Sequence, residues 1–65
     1  MNIEGFSTNS LTMLHKAIQK ALDEDDSLEI NKIYEVREHP DFKQMADAIE
    51  SMLTRRKEKF ERIEW

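Results

Sequence analysis

The chain has no cysteine, one glycine, one proline and no long apolar run. Without cysteine there is no disulfide to brace the fold and no thiolate to hold zinc. The lone Gly5 excludes a glycine-rich loop that cradles phosphate, and one glycine with one proline is too little turn chemistry for a hairpin-rich β fold. No segment approaches the roughly 18 apolar residues of a membrane span. Residues 1–10 carry Glu4 where a secretory signal has a basic start and an apolar middle. These absences predict a soluble, cytoplasmic and mainly all-α protein.

Sixty-five residues make one small domain, and a chain this short hides only about 60% of the surface its unfolded form exposes. With no disulfide to offset that deficit, a partner subunit becomes a candidate source of stability. Fourteen acidic against ten basic residues give a net charge of -4, which favours solubility rather than polyanion binding. The charges are segregated. Asp23, Glu24, Asp25 and Asp26 form one block, while Arg55, Arg56, Lys57, Lys59 and Arg62 crowd the other end of the chain.

Leu11, Leu14, Ile18, Ala21 and Leu22 fall at helical spacing and predict a first helix over 10–25, preceded by a flexible segment 1–9. Ser7, Thr8, Asn9 and Ser10 are all able to cap its start. Acids at 23–26 oppose the negative end of the helix dipole and predict fraying or termination there. Asp26 and Glu29 have capping-box spacing for a following element. Segment 28–38 reads two ways: Ile30, Ile33 and Tyr34 suit a short helix, Tyr34 and Val36 alternate as in a strand, and the reading adopted is a connector or short helix. His39 before Pro40 is predicted to be extended.

After Pro40, Asp41 and Gln44 form a second capping pattern, and Phe42, Met45, Ile49 and Met52 follow at spacings of three and four, with Ala46 and Leu53 widening the stripe. A helix over 41–60 is predicted. The same register carries Arg56 and Lys59 onto the seam, so its packed part is predicted to end near residue 54, followed by a tail over 61–65. Alternation at Ile63 and Trp65 leaves open a minor two-stranded pairing with 34–36.

Tyr34, Val36, Arg37, Pro40, Asp41 and Phe42, then Ala46-Asp47, Ile49-Glu50, Arg55 and the final Trp65, resemble a group of small uncharacterised bacterial proteins sharing a Tyr-x-Val-Arg-x-x-Pro-Asp-Phe/Trp segment and a terminal Trp. The resemblance covers about the last half of the chain and implies a bacterial or phage source, but no activity. Members of that group often have glycine after the Tyr and again near the end of the long helix, where this chain has Glu35 and Lys57. That departure implies a helix able to run further.

No reaction signature emerges. His15 and His39 are far apart, with no HxxxH and no Cys/His cluster to suggest a metal. Ser7, Ser10, Ser27 and Ser51 lack a nucleophile elbow and an obvious base. Asp47 and Glu50 are a possible acid-base pair, but a helical domain of this size offers little cleft. The reading is a non-enzymatic module without cofactor or metal. In the nucleic-acid reading, Arg55, Arg56, Lys57, Lys59 and Arg62 contact phosphates while Phe60 and Trp65 stack on bases, although Glu58, Glu61 and Glu64 dilute the patch. Tyr34, Arg37 and Trp65 form a further candidate cluster, with Arg37 able to pair with Asp41 or the tail carboxylate.

The predicted architecture is two amphipathic helices folded back as an antiparallel pair, with Leu11, Leu14, Ile18 and Leu22 facing Met45, Ile49, Met52 and Leu53. The predicted function is protein interaction, with self-association through apolar helix faces as a homodimer or docking on a larger protein. A nucleic-acid-binding regulator is the alternative. The candidate interaction residues are Tyr34, Arg37, Arg55, Arg56, Lys59 and Trp65.

Overall fold

A computed structural model describes residues 3–65. Two helices make up its regular structure, α1 over Thr8–Asp26 and α2 over Pro40–Arg55, packed as an antiparallel pair. Of the predicted flexible start, residues 1 and 2 lie outside the described residues. Ile3 instead is buried in the core, and the Phe6 amide donates to the Ile3 carbonyl in a turn leading to α1.

Ser7 is the N-cap of α1, its Oγ accepting from the Ser10 amide at 3.1 Å, so the helix starts at Thr8, two residues before the predicted start at 10. At its other end the helix stays regular through the acidic block and terminates at its last acid, Asp26, where Ser27 caps it by donating its hydroxyl to the Glu24 carbonyl. Asp26 does not open a second element, because 28–38 is irregular. Helix α2 begins at Pro40, whose fixed φ suits the first turn. His39, extended at φ -112° and ψ 103°, is the N-cap, and Asp41 sits inside the first turn. No side chain caps this end, so the Asp41/Gln44 capping pattern is not formed.

The end of α2 corrects the predicted span of 41–60. Arg55 is the last helical residue, Lys57 turns left-handed at φ 61°, and the Glu58 and Lys57 amides donate to the carbonyls of Leu53 and Thr54 at 2.9 and 3.0 Å. This paired closure normally recruits glycine, and here a lysine adopts it at some conformational cost. The helix stops because its next turn would set Arg56 and Lys59 on the apolar seam. Glu35, at φ 55°, is left-handed as well. Both positions thus have a backbone that glycine adopts at less cost, and the longer helix does not form.

Leu11, Ile18 and Leu22 of α1 meet Ala46, Ile49, Met52 and Leu53 of α2 in the core, flanked by half-buried Leu14, Ala21, Phe42 and Met45. A two-helix layer leaves one side of each stripe uncovered. Ile3, Val36 and Ile63 supply the cover, each from a segment without regular structure, with Phe60 and Trp65 packed beside them. Their burial follows from the drive to remove apolar surface from water. It requires that the irregular segments be held in place without a hydrogen-bonding ladder.

Candidate functional site

Two buried carboxylates hold the connector and the tail. Asp25, near the end of α1, is almost wholly buried and accepts three backbone amides from the connector: Ile33 and Tyr34 on Oδ1 at 3.1 and 3.0 Å, and Val36 on Oδ2 at 3.0 Å. The Lys32 ammonium caps the Asp25 and Leu28 carbonyls beside it. Burial pushes the Asp25 carboxyl up, but the amides of Tyr34, Val36 and Ile33, aided by Lys32, outweigh that and hold it below the ordinary aspartate value.

Glu50, on α2, does the same for the tail. Its Oε2 accepts from His15 Nε2 at 2.8 Å and from the Ile63 amide at 3.0 Å, and Arg62 Nε donates to Oε1 at 3.3 Å. Burial raises its pKa, and the His15 bond, the Ile63 amide and Arg62 reverse the direction, so Glu50 is held low. An ionised carboxylate only accepts, which places the hydrogen on His15 Nε2. Phe60 completes the latch with its ring edge-on to His15, the centroids 5.6 Å apart.

These bonds also explain why no strand occurs among the described residues. The amides of Tyr34, Val36 and Ile63, which a pairing of 34–36 with the tail would use, donate instead to Asp25 and Glu50. Neither carboxylate was singled out for this work in the sequence. Asp25 is hidden in an acidic run, and only its place on the apolar side of α1, seven residues after Ile18, hints at burial. Glu50 adjoins Ile49 on a wide stripe.

The predicted interaction residues separate. Arg37 forms a two-pronged pair with Asp26, Nε to Oδ1 at 3.0 Å and Nη2 to Oδ2 at 2.8 Å, in place of the anticipated Asp41 or tail carboxylate. The Arg37 bond holds the Asp26 carboxyl below its usual range and raises the guanidinium in turn. The Tyr34 hydroxyl donates to Glu24 Oε2 at 3.0 Å, which raises the phenol. Arg56 is drawn to the opposite end of the molecule, donating to Thr8 Oγ1 and the Glu4 carbonyl at 3.1 and 3.2 Å. Arg55 and Lys59 are exposed, and Trp65 is half-buried.

Arg37, Lys59 and Trp65 line one groove of about 1060 Å³ between α1 and the tail. Four cations, Lys16, Arg37, Lys59 and Arg62, are balanced there by four acids, Asp23, Asp26, Glu61 and Glu64, so the groove favours neither sign of ligand. Among the described residues no group of three or more His, Asp or Glu is placed to hold a metal ion.

The large apolar side chains left in water lie elsewhere, with Met13 on α1 and Phe6 before it standing apart from the connector. Ile30 and Ile33 are 75% and 64% exposed on the connector, beside half-covered Tyr34. Asn31 and Glu35, both left-handed, bracket Ile33 and Tyr34. The connector thus combines an anchored backbone with two large aliphatic side chains facing outward. No helix among the described residues is long and apolar enough to cross a membrane. No protein family, curated protein or solved structure matches the chain.

Proposed function

We propose that the chain is a small non-enzymatic protein-interaction module of the bacterial cytoplasm and that it docks through the connector between its helices. The observation that carries this reading is the exposure of Ile30 and Ile33 on a backbone that Asp25 anchors through three amides. Exposed aliphatic side chains cost solubility, and left-handed Glu35 costs roughly 1 kcal/mol of conformational energy. Holding such a loop rigid removes the ordering penalty that a mobile loop meets on binding. The seam between the helices is filled by the chain's own Ile3, Val36 and Ile63, which supports the connector over that seam as the surface for self-association or for a larger partner.

The alternative, a nucleic-acid-binding regulator, draws on the basic stretch 55–62. Arg56 is engaged by Thr8 and Glu4, so Arg55, Lys57, Lys59 and the largely exposed Arg62 are the outward cations, interleaved with glutamates. That is a small footprint for a phosphate-driven interaction.

Photo-crosslinking in cell extract tests the proposal, with the reactive group at position 33 and a control at exposed Asp47. The expected result is a discrete adduct from position 33 alone, competed by unlabelled chain but not by its Ile30→Ser/Ile33→Ser variant. An adduct of twice the chain mass identifies self-association, and any other mass identifies a second protein. Equal labelling from both positions, or equal competition by the variant, contradicts the reading.

A further inference from the structure

Segment 23–41 holds eight acidic residues against two basic ones, a net of -6, and 55–58, where α2 ends, holds three basic residues and one acid, a net of +2, with Glu4 beside it. The fold puts these segments at opposite ends. The connector lies between the C-terminus of α1 and the N-terminus of α2, while Arg56 ties the far end of α2 to Thr8 and Glu4. The molecule is elongated, 38 Å long against 22 and 16 Å across. It is therefore a charge dipole with one acidic and one basic pole.

Each pole carries exposed apolar surface. At the acidic pole Ile30 and Ile33 stand among exposed Glu29, Glu35 and Glu38, and the two local cations, Lys32 and Arg37, are turned onto backbone carbonyls and Asp26. At the basic pole Phe6, 38% exposed, lies in the turn that Arg56 spans, with Arg55 and Lys57 at the adjoining end of α2. Charge and apolar character are complementary between the poles, yet within one copy the poles cannot meet. Two copies side by side and antiparallel bring each acidic pole against the other's basic pole, and a two-fold axis closes the assembly after two chains.

We propose that the occupant of the connector surface is a second copy of this chain, in an antiparallel two-fold dimer joining Ile30, Ile33 and Glu29 of each copy to Phe6, Arg55 and Lys57 of the other. This rests on the reading of the connector as the docking surface. Opposite charges across the contact supply register and orientation, and the apolar side chains supply the area removed from water.

The test is sedimentation equilibrium of the whole chain with charge reversal at either pole. Wild type is expected to dimerise, with a dissociation constant rising by about tenfold between roughly 0.05 and 0.5 M salt. Glu29→Lys/Glu38→Lys and Arg55→Glu/Lys57→Glu, each checked for native circular dichroism, are expected to weaken self-association by about tenfold or more. An equimolar mixture of the two variants recovers a heterodimer, because both contacts are complementary again. Dimers unaffected by either reversal, a mixture that stays monomeric, or mass growing beyond two chains overturns the proposal. A wild-type monomer overturns the two-fold pairing alone. The connector reading fails separately, when the Ile30→Ser/Ile33→Ser variant competes for the position-33 crosslink as well as wild type does.

Discussion

His15 Nε2 on α1 and Glu50 Oε2 on α2 are 2.8 Å apart in the interior, and the same glutamate oxygen holds the Ile63 amide. One carboxylate thereby joins both helices to the tail. Asp25 has the corresponding relation to the connector, so two of the three irregular segments that cover the core are each fixed by one buried acid.

Glu50→Ala strips partners from a buried imidazole and a buried amide and is expected to cost roughly 2–3 kcal/mol. Glu50→Gln keeps a carbonyl where Oε2 stood, able to accept from both, and is expected to cost less. Urea denaturation gives the ranking. Equal loss in the two variants contradicts the assigned hydrogen bonds.

Acid should release both segments. Asp25 and Glu50 have folded pKa values below their ordinary ones, so the stability they contribute is complete above the usual carboxylate range near pH 4 and is lost as pH falls through the lower folded values. The difference in Tm between wild type and Asp25→Asn is therefore expected to hold above about pH 5 and to shrink below about pH 4. A gap constant down to pH 2, about two units below the ordinary aspartate value, contradicts the direction assigned to Asp25.

Lys57 is left-handed in a helix-ending turn, and Lys57→Gly is expected to stabilise the fold by about 0.5–1 kcal/mol, whereas Lys57→Ala is not. Glu35→Gly is expected to act in the same direction, its exposed pairing with His39 being worth little. Thermal melts of the glycine and alanine variants check this. Destabilisation by glycine at both sites contradicts the backbone conformation.

Ile49 is fully buried at the middle of the helix interface. Ile49→Ala is expected to cost about 2–5 kcal/mol, a large share of the stability of so small a domain, and Ile49→Asp to unfold it. An unchanged melt for Ile49→Asp contradicts the core.

The helix pair was legible because Leu11, Ile18, Leu22, Ile49 and Leu53 repeat at the period of a helix, and local periodicity is what a sequence displays. The end of α2 was only half legible: Arg56 and Lys59 on the seam signalled the loss of packing near residue 54, but Lys57 in a left-handed turn disguised the stop that glycine would have announced. The connector was not legible. Its shape depends on Asp25 meeting Ile33, Tyr34 and Val36, eight to eleven residues away, and an aspartate among three other acids carries no mark of burial. The exposure of Ile30 and Ile33 was not legible either, since their spacing suits a short helix and the bond from the Val36 amide to Asp25 is what sets Val36, rather than them, in the core.

The anchored connector is the central claim, and amide hydrogen exchange at Ile33, Tyr34 and Val36 measures it most directly. In wild type these amides are expected to exchange far more slowly than those of neighbouring exposed residues. In Asp25→Asn, where an amide NH₂ opposes one of the three donors, they are expected to lose protection together while the Ile49 and Leu53 amides of α2 keep theirs. Fast exchange at all three in wild type, or protection unchanged in Asp25→Asn, contradicts the account.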